Sequence, residues 1–286
     1  MYGSGDTPPE YLSHTQGTMD TSVILNSITW QNTLLFAGGA YILLNLKGLP
    51  FVWHIRLLNC LKEHIILNRA RKVDITTHGP QSLFYPVITT SSAPLLEIDY
   101  NMHKSNATYF TDLDINRVHL ISSLFKDQLA LGFSGGELNI ALGSTACVFK
   151  REIKPYQTYE IHTRVLSWDE KWVYLVSHFV KTGGKKDKGE VVFGGSSIGV
   201  KDEKSILASA VTRYVFKKGR ISASPETVLS RAGLLPEKGV NMKDGFWSWE
   251  RVEEERKKGL DVARSFLALD GLHAMFRGDG KAIGMF

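Results

Sequence analysis

Residues 94–126 read PLLEIDYNMHKSNATYFTDLDINRVHLISSLFK, and this stretch decides the fold. From Asn106 onward it contains neither proline nor glycine. Phe110, Leu113, Ile121 and Leu124 recur at helical spacing, which predicts a helix over Asn106–Lys126. Ser105 or Asn106 is suited to cap its start, because a short polar side chain accepts a hydrogen bond from a free N–H of the first turn. The preceding Pro94–Tyr100 reads as a short apolar strand, which puts the carboxylate of Asp99 at a strand end just before a helix N-terminus.

Downstream, strand signals accumulate. Tyr159–Leu166 alternates Tyr159, Ile161, Thr163 and Val165 against Glu160, His162 and Arg164. Thr145–Arg151, Trp172–Val180, Glu190–Val200 and Val211–Phe216 read the same way. Ser167–Lys171 is a tight turn, and the glycines and charges of GGKKDKG suit an exposed hairpin. One long helix beside several antiparallel strands predicts an α+β fold, a sheet wrapped on a central helix. Beyond Lys217, Pro225–Leu235 and Phe246–Phe276 read as a C-terminal helical extension.

Upstream, residues 1–20 read as a flexible tail. No charged residue lies between Asp20 and Lys47, and the apolar centre is TLLFAGGAYILLNL, Thr33–Leu46. About 20 mostly apolar residues cross a bilayer, so a spanning helix over about 28–46 is expected. The tail carries Asp6, Glu10 and Asp20 without a cation. Residues 47–72 carry Lys47, Arg56, Lys62, Arg69, Arg71 and Lys72 against Glu63 alone. Positive charge stays cytosolic, so the body after the segment should face the cytosol. The stretch FVWHIRLLNCLKEHIIL reads as an amphipathic helix at the membrane surface or a packing helix of the domain. The expected organisation is therefore a tail over 1–20, an anchor segment over 21–81, a sheet-and-helix domain over 82–216 and an extension over 217–286.

Composition narrows the function. The chain has 286 residues, of which 43% are hydrophobic and 22% charged, so it is neither disordered nor fibrous. Its net charge of +5 is mild and sits largely beside the apolar segment, which favours a membrane surface over nucleic acid. Cys60 and Cys147 form no disulfide framework, which implies a reducing compartment. The histidines do not cluster as HxxxH or HxH, and there is no GxSxG elbow or Walker loop, so neither a metal nor another cofactor is expected. What remains is Asp99 beside a helix start. Free N–H groups there polarise a carbonyl oxygen, and Asp99 is placed to act as base or nucleophile.

These residues also carry a resemblance. Hotdog-fold thioesterases of the 4-hydroxybenzoyl-CoA thioesterase type have a D-x-D-x-x-x-H-x-N-N-x-x-Y pattern leading into their central helix. The sequence E-I-D-Y-N-M-H-K-S-N-A-T-Y matches it at Asp99, His103, Asn106 and Tyr109. Asp112, Asp114 and Arg117 continue the match, as in the branch that resembles the mammalian endoplasmic-reticulum thioesterase-superfamily-like protein. Trp168-Asp169 within Arg151–Phe179 and the apolar segment followed by a basic helix are similar to that branch too. The tail resembles fungal relatives, some found beside polyketide or peptide biosynthesis genes.

The resemblance implies a hotdog fold and hydrolysis of an acyl thioester on CoA or a carrier protein, without cofactor, in a groove between the subunits of a homodimer. It implies Asp99 as catalytic carboxylate, and Ser105, Asn106, Tyr109 and His103 as substrate-binding residues. It also implies a single-pass anchor, in the endoplasmic reticulum, with a cytosolic catalytic domain. Three positions depart from the pattern: Glu97 for Asp, Met102 for Gly and Ser105 for Asn. One competing reading is a hotdog hydratase or dehydratase. Its D-x-N-P-x-H motif sets Asp and His five apart, whereas Asp99 and His103 are four apart without the proline. The other is a non-catalytic membrane scaffold.

Overall fold

A computed structural model describes residues 30–67, 75–129, 137–182, 203–240, 242–243 and 245–276. In chain order its elements are helices α1 (Trp30–Leu44), α2 (Val52–Leu61) and α3 (Ile75–His78), strand β1 (Val87–Ser92), and helix α4 (Asn106–Phe125). Strands β2 (Asn139–Phe149), β3 (Thr158–Trp168), β4 (Val173–Lys181), β5 (Ile206–Lys218) and β6 (Ile221–Ala223) follow. Helices α5 (Pro225–Arg231) and α6 (Trp249–Leu267) come last. The strands form one antiparallel sheet in the order β1-β3-β4-β5-β2, with β6 on β5.

Period-2 alternation fixes which face of the sheet meets which helix. Val165, Val173 and Leu175 meet Leu120, Ile121, Leu124 and Phe125 of α4. Nearer the start of α4, Tyr109 and Leu113 pack with Tyr159, Ile161 and Phe179. Leu166, Tyr174 and Val176, the alternate positions, meet Ala263 and Leu260 of α6. The sheet is thus covered by the central helix on one side and by the extension on the other. Each fully buried Leu or Phe contributes about 1.5–3 kcal/mol. The approach of α6 depends on Gly259, where a Cβ would collide with the carbonyl oxygen of Leu166. Ser167 Oγ donates to the Arg256 carbonyl oxygen at 2.7 Å, and Arg256 donates back to the Trp168 carbonyl oxygen at 2.8 Å.

The α+β architecture of an antiparallel sheet around a long helix follows the sequence, as do α4 and the strands read near 145–151, 159–166, 172–180 and 211–216. The strand read at Glu190–Val200 and the tail over 1–20 lie outside the described residues. Pro94–Tyr100 is a correction. Leu95–Glu97 is a 3-10 turn whose leucines are exposed, and the edge strand is the earlier β1, VITTSS.

The spanning helix expected over about 28–46 is only partly covered by the described residues, which begin at Trp30, and finds no support among them. The chain divides after Leu44, and the described part of the first unit is α1, 15 residues with outward-facing Leu35, Phe36 and Leu43. No helix among the described residues is long and apolar enough to cross a membrane. Two cations of the basic flank, Lys47 and Arg56, are not free surface charges. Lys47 is ion-paired to Glu97 and Asp112 inside the domain, and Arg56 to Asp112.

Candidate active site

The residues from Asp99 to His103 form a closed turn. Ile98 and Lys104 pair as an isolated bridge at its stem. The Asp99 N–H donates to the His103 carbonyl oxygen at 2.9 Å, and the Met102 N–H to that of Asp99 at 3.0 Å. Asp99 Oδ1 accepts the Asn101 N–H at 2.9 Å, an Asx turn that fixes the carboxylate. His103 Nδ1 lies 3.7 Å from that oxygen, and its Nε2 lies 3.5 Å from Glu152 Oε2. Met102 has φ of 63°, a left-handed conformation that favours glycine, the residue the family pattern carries there. The Asp99 side chain is 27% exposed, within reach of solvent and of a ligand.

The turn runs straight into α4. The Ser105 N–H donates to the Glu97 carbonyl oxygen at 2.8 Å, which brings the two stems together. Ser105 stands at the N-cap without a side-chain cap hydrogen bond. The first turn of an α-helix has N–H groups without intrahelical partners and carries partial positive charge. Asn106, the first helical residue, is exposed. The structure therefore brings Asp99, His103, Ser105 and Asn106 to one turn-helix junction. Tyr109 is directed into the core instead, edge-on to Phe149 at 5.0 Å and Phe179 at 4.8 Å. Burial pushes its phenol up, with smaller contributions from Cys147 and Asp99.

Beneath the turn lies an ion cluster that sequence reasoning missed. Glu97 Oε2 receives Lys104 Nζ at 2.5 Å and Lys47 Nζ at 2.8 Å. Asp112 Oδ2 receives Lys47 Nζ at 2.8 Å and the Tyr159 hydroxyl at 2.5 Å, and Lys104 Nζ stands 3.2 Å away. Asp112 Oδ1 faces Arg56 at 3.1 Å and Ser91 Oγ at 3.3 Å. Lys47 also donates to the Ser92 carbonyl oxygen at 2.7 Å, tying the cluster to β1. Burial works to raise the Asp112 carboxyl. Lys104 and Lys47 outweigh it, aided by hydrogen bonds from Lys47 and Tyr159, and hold it at about 2. Burial lowers Lys47 against the pull of Asp112, and raises the Tyr159 phenol with Asp112 adding to the effect.

This cluster positions the turn. Glu97 and Lys104 stand on its two stems and bind each other, and Asp112 joins them to α4. The anchored ends leave Asp99 at the tip side of a rigid loop. Glu97, two residues from Asp99, points inward and is held by both lysines, so the two carboxylates are in different surroundings. Asp114, further along α4, pairs with the buried Arg117 at 2.5 Å, and Arg117 also donates to Thr212 Oγ1 at 2.9 Å. The signal for the cluster was faint: a lysine directly before a cap serine, and an aspartate one turn after the buried Tyr109.

A cleft of about 820 Å³ lies elsewhere, at the far end of β3, lined by Trp168, Trp172, Arg256 and Leu260 among others. It holds none of the turn residues.

Comparison with known proteins gives a consistent result. A family model described as the thioesterase-like superfamily matches residues 93–229. Thioesterase poxG of Penicillium oxalicum is 42% identical over 261 residues, covering 84% of this chain and 85% of its own. Probable thioesterase atnL of Emericella nidulans is 40% identical over 281 residues, covering 89% and 92%. Probable thioesterase YBR096W of Saccharomyces cerevisiae is 31% identical over 218 residues, covering 73% and 84%.

Proposed function

The chain belongs to the thioesterase-like superfamily, and on that premise we propose that it hydrolyses an acyl thioester, with Asp99 as the working carboxylate. The observation that carries this reading is the clamped turn that presents Asp99 immediately before the uncapped start of α4. In the reaction, water adds to the thioester carbonyl and the C–S bond breaks, giving a carboxylic acid and a thiol. The carbonyl oxygen gains charge as the tetrahedral intermediate forms, and amide N–H groups of a helix start stabilise such an oxyanion. Asp99 either accepts the proton of the attacking water and returns it to the leaving thiolate, or attacks the carbonyl and is released by water. Both routes use an ionised carboxylate at the same place. His103 orients Asp99, and Ser105 and Asn106 border the acyl thioester.

The substrate class is an acyl group on CoA or on a carrier protein, including polyketide or peptide chains, and the fungal thioesterases among the relatives support this choice. A homodimer is part of the reading. The sheet ends on β2, whose Leu142, Val148 and Phe149 are exposed, and the turn exposes Tyr100 and Met102, all apolar surface that a second subunit would cover. Attachment to a lipid surface through α1 is supported by its outward Trp30, Leu35, Phe36 and Leu43.

The test is thiol release from a panel of acyl-CoA and carrier-bound substrates. Asp99→Asn should retain the fold by circular dichroism and lose hydrolysis by about 10²–10⁴-fold, the usual contribution of a positioned general base. Turnover within a few-fold of the parent would remove Asp99 from the mechanism. Water addition to an enoyl thioester without thiol release would favour a hydratase.

A further inference from the structure

Away from the turn, α2 continues into a π-helical turn, Lys62–Ile66, that carries His64. Such turns make up well under 1% of residues and occur frequently at functional sites. Cys60, four residues earlier, is on the same side of this helix, and His119 of α4 faces both. One ligand atom from each of Cys60, His64 and His119 lies within 4.8 Å of the others. His64 Nε2 and His119 Nδ1 are 2.9 Å apart and share a hydrogen. The remaining ring nitrogen of His64, Nδ1, is buried without a hydrogen-bond partner, an arrangement that costs about 1–3 kcal/mol.

From this convergence we propose that Cys60, His64 and His119 form a zinc site that staples α2 to the central helix. A soft thiolate with two imidazoles is a donor set for a borderline-soft d10 ion, and a fourth, water-occupied position completes a tetrahedron. The side of the site at the half-exposed His119 is where that water enters. Burial lowers His64 to about 4, with His119 and Lys126 adding to the effect, and His119 is lowered by burial and by Arg56. Zinc takes imidazole in its neutral form. Burial pushes the Cys60 thiol up to about 12 in the metal-free protein. Binding Zn²⁺ forms the Zn–S bond and releases the thiol proton to solvent. The thiolate reduces the charge of the bound ion to +1 in a region that already holds Lys126 and Arg56, the latter paired to Asp112. The site is separate from the turn: Asn106 and His119 are 13 residues apart on α4, about 20 Å at 1.5 Å per residue. Its role is to hold two helices together, and hydrolysis does not pass through it.

The test is titration of the full chain, reduced and metal-free, with Co²⁺ as a spectroscopic stand-in for Zn²⁺. A thiolate-to-cobalt charge-transfer band should saturate at one equivalent and disappear when Zn²⁺ displaces the cobalt. Cys147→Ser, which leaves Cys60 as the only thiol in the chain, should retain the band, and Cys60→Ser should lose it. His119→Gln should weaken Co²⁺ binding by about tenfold or more. Absence of the band in the parent, its loss in Cys147→Ser, or unchanged affinity in His119→Gln would each overturn the proposal. The last two decide the matter even if Cys60→Ser does not fold.

Discussion

At its C-terminal end α4 is held by hydrocarbon: Leu120, Ile121, Leu124 and Phe125 lie against Val165, Val173, Leu175 and Phe216. At its N-terminal end the same helix is held by charge, through Asp112 with Lys47, Lys104, Arg56 and the Tyr159 hydroxyl. Apolar packing has no preferred direction and tolerates rearrangement. Charged hydrogen bonds fix partners by distance and angle, and a buried charge that loses its partner is left uncompensated. The comparison teaches a division of labour: one end supplies stability, and the other sets where the Asp99 turn stands.

The largest effect should come from breaking the charged end. Asp112→Asn leaves Lys47, Lys104 and Arg56 with one carboxylate fewer and should cost about 3–5 kcal/mol of stability, measured by urea denaturation. Leu124→Ala, at the other end, should cost a comparable amount, about 2–5 kcal/mol. The two should separate in catalysis. Leu124→Ala should keep the parent kcat under conditions where it is folded, and a milder change at the cluster, Lys104→Met, should lower kcat as the stems of the turn come apart. Equal kcat losses at both ends would break the comparison.

Acid sharpens it. The Asp112 carboxyl lies at about 2 in the folded chain against 3.8 unperturbed. A depressed carboxylate stabilises the fold fully above its unfolded value, and that stability is lost as pH falls from near 4 toward 2. The loss is on the order of 2 kcal/mol. It should appear as a falling denaturation midpoint in that window, and Asp112→Asn should flatten the profile.

A smaller effect is expected on the far side of the sheet. Gly259→Ala forces a methyl group against the Leu166 carbonyl and should cost about 1–3 kcal/mol as α6 shifts outward. Smallest, and of opposite sign, is Met102→Gly. The left-handed φ at Met102 costs a side-chain-bearing residue about 1–2 kcal/mol, part of which glycine gives back as unfolded-state entropy. The exposed Met102 loses little packing, so a net gain of about 0.5–1 kcal/mol in thermal denaturation is expected. A loss there would mean that Met102 makes contacts in the assembled protein.

Much of this was legible in the sequence, for reasons that can be named. Helix α4 could be read because its apolar positions are local and uninterrupted, and β3 because its alternation survives burial. The strand read at Pro94–Tyr100 failed because leucines at 95 and 96 suggest a buried run, while Pro94 starts a 3-10 turn that leaves them exposed. β1 was missed because VITTSS, an edge strand, has little apolar contrast. The ion cluster left only a faint trace because Lys47 is 50 and 65 residues from its partners Glu97 and Asp112 along the chain. Lys47 was therefore read as a membrane flank when its partners are in the domain. Asp99, His103, Ser105 and Asn106 were recognisable because the turn and the helix start are contiguous in sequence.

The order of strands has a consequence for how the chain folds. β3 and β4 are joined by a turn of four residues and pair locally, whereas β2 must find β5, with Thr145 and Thr212 hydrogen-bonded across 67 residues. Closing so long a loop is entropically costly before any contact repays it. The hairpin is therefore expected to be structured early, and the β2 seam to close late. In a chevron experiment, Thr212→Val at the seam should speed unfolding and leave the refolding rate nearly unchanged.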